Sequence, residues 1–431
     1  MSFIAFAAKA KGPMAFLRRI LTINKRYGLT THKMARSLDL FAQVLKRFDC
    51  GATFPITAVA LQRNPDVISK YLNGKIEFAV HGYTHIDYSE VAPEALRGHL
   101  QRAGSIFAAA DVPVSGFRSP YLRRGKDLYK AFETAGFAYA SNQPVWWDVL
   151  EEADFDDAGQ VGYQRALAFY EPWYACERLS LPQLSDGFVE IPVSLPDDEI
   201  LLDRMNGEGS DLVEKVWRRI LSQVHQREEL FVLQLHPERI ALAAEGLTAV
   251  LTEARSFVPV VWMARLDEVA EWWRARLAAS IKLADVEGGV QITVTGPAGL
   301  TILARGVASD ITTVPWKEEY QRIPATSFTV RSALRPFVGL SPEVPREMAD
   351  FLGEQGYIVE FSREHRRYSY YFHRAEDFLA HPRAILAQIE GAGGPLVKLG
   401  RWPNGAACAL SITGDIDALT LWDYGLRVLG K

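Results

Sequence analysis

Between residues 33 and 277, short apolar runs recur along the chain, and segments with helical spacing of their apolar residues separate them. This alternation constrains the fold more than any other feature. A run that is apolar on both faces must sit inside a sheet whose two sides are covered, and helical crossovers supply that cover. The runs fall at 51–57, 76–80, 115–118, 137–140, 188–192, 230–235 and 258–262. Helices are expected over 35–48, 91–110, 126–135, 210–226 and 241–255. Strands joined this way pair in parallel. No glycine-rich phosphate loop follows any of them, and so many units favour a closed barrel over an open doubly wound sheet.

The texture changes after residue 280. Residues 290–294 and 300–303 alternate with period two around Gly296-Pro-Ala-Gly299, which predicts a hairpin. Strands at 327–330, 357–361 and 368–372 and helices at 345–355 and 375–389 follow, so residues 281–395 are expected to form a smaller α+β domain. Residues 406–413 then read again as a buried strand, ending in Gly414-Asp415-Ile416-Asp417. Such a strand is out of place unless it returns to the first domain. The expected organisation is a barrel over 1–280, the smaller domain, and a strand and helix over 396–431 that complete the barrel.

Several function classes are excluded by composition. With 431 residues, a formal charge of −4 and no basic stripe, the chain shows no nucleic-acid footprint; Arg366 and Arg367, among tyrosines, read as solvated. Cys50, Cys176 and Cys408 are far apart and form no CxxC pair, which argues for reduced thiols and against a cysteine zinc site. The apolar stretch 3–8 is short and is followed by Lys9 and Lys11, unlike a secretory leader. No run approaches the roughly 18 apolar residues that span a bilayer. A cytoplasmic protein is expected.

Polar residues gather at the ends of the runs, where α/β barrels keep their active sites. His81-Gly-Tyr-Thr-His85 follows the 76–80 run, and two imidazoles four residues apart can reach one ion from the same side. The plainer reading is a pair of loop histidines. His236 closes the 230–235 run and could act as a general acid or base; alone, it would be a structural histidine. Arg118 ends the 115–118 run and could hold a carboxylate or a rim ion pair. Asp415 and Asp417, two apart, share a face, so one could bind a cation while the other takes a proton; a turn with a helix cap is the alternative. Four strand ends carrying such groups together point to chemistry.

These residues resemble the polysaccharide deacetylase family, the NodB homology domain of carbohydrate esterase family 4. His81-Gly-Tyr-Thr-His85 looks like its His-x-x-x-His motif, Arg118-Ser-Pro-Tyr121 like Arg-x-Pro-Tyr, and Leu233-Gln-Leu-His236 like Leu-x-Leu-His. The family's aspartate pair should come first, yet here it comes last, as Asp415-Ile-Asp417 with an intervening isoleucine. Placing 401–431 ahead of residue 1 restores the order, which implies a circularly permuted, distorted (β/α)7-8 barrel with the smaller α+β domain added. The fourth motif is weak: Val145-Trp-Trp-Asp148 has its residue types in another order. The resemblance implies a hydrolase that removes acetyl groups from an N- or O-acetylated sugar or polysaccharide, using a divalent metal for which zinc is expected.

By the same resemblance, Asp417, His81 and His85 would ligate the metal, Asp415 would act as base beside Arg118, and His236 would be the acid. The Tyr121 backbone N–H would face the oxyanion, with Leu235 and Trp147 as candidates for the acetyl pocket and a sugar face; core packing is the equal alternative for both. Two alternatives stand beside this reading. One is an allantoinase-like hydrolase of a small cyclic amide; the other is a carbohydrate-binding barrel without turnover.

Overall fold

The computed structural model describes residues 23–72, 74–185, 187–205, 210–374 and 381–430. The apolar stretch 3–8 and the start of the helix expected at 375 lie outside them. The long helix His32–Arg47 forms where the sequence places it. Met34, Leu38, Phe41 and Leu45 recur at helical spacing and are buried, while Lys46 and Arg47 complement the negative carboxyl end.

The main sheet is built from β1 (Ala52–Ile56), β2 (Ile76–Val80), β3 (Gly116–Phe117), β4 (Tyr139–Ala140), β5 (Pro144–Trp146), β6 (Trp173–Tyr174), β7 (Gln183–Ser185), β8 (Phe188–Glu190), β9 (Val193–Leu195), β10 (Leu230–Leu235), β11 (Val261–Met263) and the C-terminal strand Cys408–Gly414. It is a mixed α/β arrangement whose sheet curls into a half-barrel. The order is β6-β5-β9-β10, the C-terminal strand, then β1-β2-β3-β4-β8-β7, and every pairing is parallel except β7 with β8. The last strand of the chain therefore lies at the middle of the sheet. It pairs with β10 from Ala409 to Gly414, with β11 from Cys408 to Leu410, and with β1 at Thr413. All seven of its residues are buried. Gly414 is required where this strand passes the core aromatics, since a Cβ there would come within 2.9 Å of Phe54 and 3.0 Å of Phe41.

Residues 280–399 form three smaller sheets. The expected hairpin between 290–294 and 300–303 is absent. Gly289–Thr295 instead pairs with Ser280–Val286 through the two-residue turn Glu287-Gly288, with Gly288 at φ +71°, and with Ser327–Arg331. A two-residue turn ending in glycine matches strand twist, and it outcompetes the longer Gly-Pro-Ala-Gly connection. Ile302–Arg305 lies in another sheet, between Tyr320–Arg322 and Leu396–Leu399. The chain thus leaves the smaller sheets after residue 399 rather than 395.

The smaller sheets pack at the amino-terminal ends of the main strands. Lys317 Nζ donates to the carbonyls of His225 (3.2 Å) and Gln226 (2.6 Å), Arg383 pairs with Glu229 at 2.7 Å, and Arg401 donates to Arg227 O at 3.1 Å, all just before β10 begins. Trp273 and Trp402 join an apolar core that reaches Val338, Leu340 and Met348 of the smaller part. The opposite, carboxyl-terminal ends of the strands are left for the polar residues. Among the described residues, no helix is long and apolar enough to cross a membrane.

Candidate metal centre

Four strand ends converge. His81 follows β2, Arg118 follows β3, His236 follows β10, and Asp415 and Asp417 follow the C-terminal strand. Asp417 Oδ1 lies 3.3 Å from Nε2 of His81 and 3.3 Å from Nε2 of His85. His81 Nδ1 lies 2.8 Å from the carbonyl of Arg118, which can only accept, so Nδ1 donates and Nε2 is turned toward the aspartate. Burial, then the neighbouring Arg427, lowers the His85 pKa to about 4 and keeps that ring neutral. Asp417 Oδ1 is buried without a hydrogen-bond donor of its own. Two imidazole nitrogens and one orphaned anionic oxygen aimed at a common point fit a divalent cation: the donor types are those of a catalytic zinc site, and three protein ligands leave positions open.

The histidines are not joined by a helical turn. The backbone swings through Gly82 at φ +83°, where a Cβ would meet the Tyr88 ring at 2.6 Å. The Tyr88 hydroxyl accepts from the N–H groups of Tyr83 (2.6 Å) and Thr84 (3.4 Å), so one phenol fixes the loop between the two rings. Tyr88 was not singled out by motif spacing.

Asp415 is held at both oxygens, accepting from Arg118 Nη1 at 2.9 Å and from Gln234 Nε2 at 2.9 Å. Arg118 is fully buried and also donates to Thr413 Oγ1 (2.6 Å), Ser141 O (3.2 Å) and Ser141 Oγ (2.8 Å). A charge pair so deeply buried persists because nearly every donor has an acceptor.

His236 has a partner the motifs did not identify. Its Nδ1 lies 2.7 Å from Asp198 Oδ1, and its backbone N–H donates to Asp198 Oδ2 at 2.8 Å. Asp148 of the weak fourth motif is exposed and plays no such part. Burial alone would lower the imidazole pKa, but the Asp198 carboxylate outweighs it and raises the value to about 10. The ring therefore carries a proton at neutral pH, with Nε2–H available to donate. Because the folded value lies above the ordinary 6.5 of an unfolded histidine, this pair stabilises the fold fully below about pH 6.5, and that contribution is lost as pH rises through about 10. Asp198→Asn is expected to abolish that dependence: the gap in Tm between wild type and variant, measured at pH 6, should shrink steadily toward pH 10. A constant gap across the range would refute the charged pairing.

The substrate-side candidates divide. Tyr121 has a left-handed φ of +61°, and its ring stands edge-on to His85 with centroids 4.7 Å apart. Leu235 is fully buried in the main core, and its carbonyl accepts from the Asp415 N–H at 2.9 Å. Trp147 has 0% exposure, with Arg227 5.3 Å over its ring, so it presents no free face for a sugar. It continues strand β5 inward, where its backbone N–H donates to Leu195 O at 2.9 Å, and this makes it a core residue.

Arg427 was also missed. It lies on the helix Leu421–Val428, and its Nη1 sits 2.8 Å from Asp417 Oδ2. Burial would raise the Asp417 pKa, yet the Arg427 guanidinium on Oδ2 holds it well below the usual carboxylate range. A lone arginine ten residues past the aspartate pair carries no spacing signal.

Residues 21–140 match the family model described as polysaccharide deacetylase. The resemblance carried by the motifs is thus borne out for the segment that holds His81, His85 and Arg118. Among solved structures, the Puue allantoinase is 20% identical, with 56% of this chain and 72% of that chain covered and a TM-score of 0.43. A probable polysaccharide deacetylase from Pseudomonas aeruginosa PAO1 is 20% identical over 55% of this chain and 73% of that one, with a TM-score of 0.42. A CE4 family pseudoenzyme from Bacillus anthracis is 14% identical over 55% and 61%, with a TM-score of 0.32. All three scores lie below 0.5, so the functional reading rests on the family match and on the side chains themselves. No curated protein matches the chain.

Proposed function

We propose that this protein is a metal-dependent hydrolase that removes acetyl groups from an N- or O-acetylated sugar or polysaccharide, built on a circularly permuted deacetylase barrel. The observation that carries this reading is the convergence of His81 Nε2 and His85 Nε2 on the orphaned Asp417 Oδ1, with Asp415 and His236 at neighbouring strand ends. The permutation is supported by the central place of the C-terminal strand between β10 and β1. It is also supported by the contact of the helix Leu421–Val428 with residues just ahead of the helix His32–Arg47: Leu421 N–H donates to Gly28 O at 2.8 Å, and the Tyr27 and Tyr424 rings lie 5.4 Å apart.

In this reading His81, His85 and Asp417 hold the ion, with zinc as the expected metal. A divalent ion held by these three residues would supply Lewis acidity toward an acyl carbonyl and a water. Asp415, fixed on both oxygens by Arg118 and Gln234, accepts the proton of the attacking water. The Tyr121 backbone N–H faces the developing oxyanion. His236, kept charged by Asp198, delivers its Nε2 proton to the departing amine or alkoxide.

The test is acetate release from N-acetylated and O-acetylated oligosaccharides by protein reconstituted with zinc. Release that a chelator abolishes and zinc restores is the expected result. Hydrolysis of a cyclic ureide without acetate release would move the assignment to the other substrate class, and binding of glycan without turnover would overturn the hydrolase.

A further inference from the structure

Arg427 engages two of the three proposed ligands at once. Nη1 donates to Asp417 Oδ2 at 2.8 Å, and Nη2 reaches His85 Nε2 at 3.2 Å. Its side chain is only 21% exposed, and its guanidinium carbon lies 5.6 Å from the centroid of the Tyr424 ring. An imidazole Nε2 has a single in-plane lone pair, which cannot accept from a guanidinium and coordinate an ion together. A guanidinium does not deprotonate in proteins, so pH cannot clear it. Asp417 is divided differently: Oδ2 is taken by Arg427, whereas Oδ1 faces the two histidines.

The helix that carries Arg427 is firmly placed. Thr420 Oγ1 accepts from Asp423 N–H at 3.0 Å, and Asp423 Oδ2 accepts from Thr420 N–H at 3.2 Å, a reciprocal cap. Asp423 also accepts from Asn64 Nδ2 at 3.1 Å and Arg63 Nη1 at 3.4 Å. The cap sets the azimuth of the helix, and with it the reach of Arg427.

We propose that Arg427 is a built-in cationic occupant of the metal centre, which an incoming ion must displace from His85 while the Asp417 Oδ2 contact stays in place. This rests on the metal reading above and deepens it: apparent metal affinity is set by how often the guanidinium has left the lone pair of His85. Were it there in about nine molecules in ten, apparent affinity would fall about tenfold.

Zinc affinity of the metal-stripped full chain, read by competition with a chromophoric chelator, tests this without reference to activity. Arg427→Met is expected to bind zinc about tenfold or more tightly than wild type. Arg427→Lys, whose ammonium is a single point donor, should fall between them. Affinity in Arg427→Met equal to or weaker than that of wild type would overturn the proposal while leaving the metal reading intact. Absence of zinc binding in both wild type and Arg427→Met would sink both. Because the methionine leaves Asp417 short of a partner, the unmodified protein supplies a second readout: the Arg427 Nε–H NMR resonance, assigned with the lysine variant, should shift in step with zinc occupancy. A resonance unmoved at saturation would also overturn the displacement.

Discussion

A chain shortened to residue 399 will show no cooperative thermal transition and will take up no zinc. The missing segment supplies the strand between β10 and β1, every residue of which is buried. Without it, both neighbours become apolar strand edges with unpaired N–H and carbonyl groups. Leu410, Ile412, Ile416 and Leu419 are each 1% exposed or less. Burying such a side chain stabilises by about 1.5–3 kcal/mol, so these four alone match much of the ~5–15 kcal/mol that keeps a domain folded. The smaller sheets, which pack at the amino-terminal ends of the strands, offer no substitute. Circular dichroism melts of the full and shortened chains measure this, and a sharp transition within a few degrees of the full chain's would show that the last strand is dispensable.

Asp415→Asn should lower acetate release by about 10²–10⁴-fold while leaving metal content unchanged. The substitution keeps shape and takes away the proton-accepting charge. Arg118 can still donate to the new Oδ1. Gln234 can turn its amide, because its Oε1 is buried without a partner and would accept from the new Nδ2–H. The fold therefore has a way to absorb the change, although Arg118 loses its counter-charge. Metal content and rate measured on one preparation separate the roles of the two aspartates: Asp417→Ala should lose the ion, Asp415→Asn only the turnover. Full activity in Asp415→Asn would remove the aspartate from the chemistry.

Much of this was legible before any coordinates, for identifiable reasons. The strands at 51–57, 76–80 and 230–235 are long apolar runs bounded by polar residues, so their carboxyl ends, and hence His81 and His236, could be placed. The return of the final strand was legible because 406–413 has no polar face to give to solvent. What escaped depends on geometry that spacing does not encode. Asp198 follows a three-residue strand flanked by Pro192 and Pro196, so it reads as loop although it grips His236. Tyr88 acts through main-chain N–H groups, and Arg427 through a capped helix. For Trp147, residue type could not separate a sugar face from core packing, and the 290–303 hairpin was misplaced because Glu287-Gly288 closes a tighter turn.

The most direct measurement is anomalous scattering at the zinc edge from a crystal of the zinc-loaded protein. One strong peak is expected about 2.0–2.2 Å from His81 Nε2, His85 Nε2 and a carboxylate oxygen of Asp417. A site free of zinc, or a peak held instead by Asp197, Asp198 and His236, the other described group whose ligand atoms lie within 4.8 Å of one another, would contradict it.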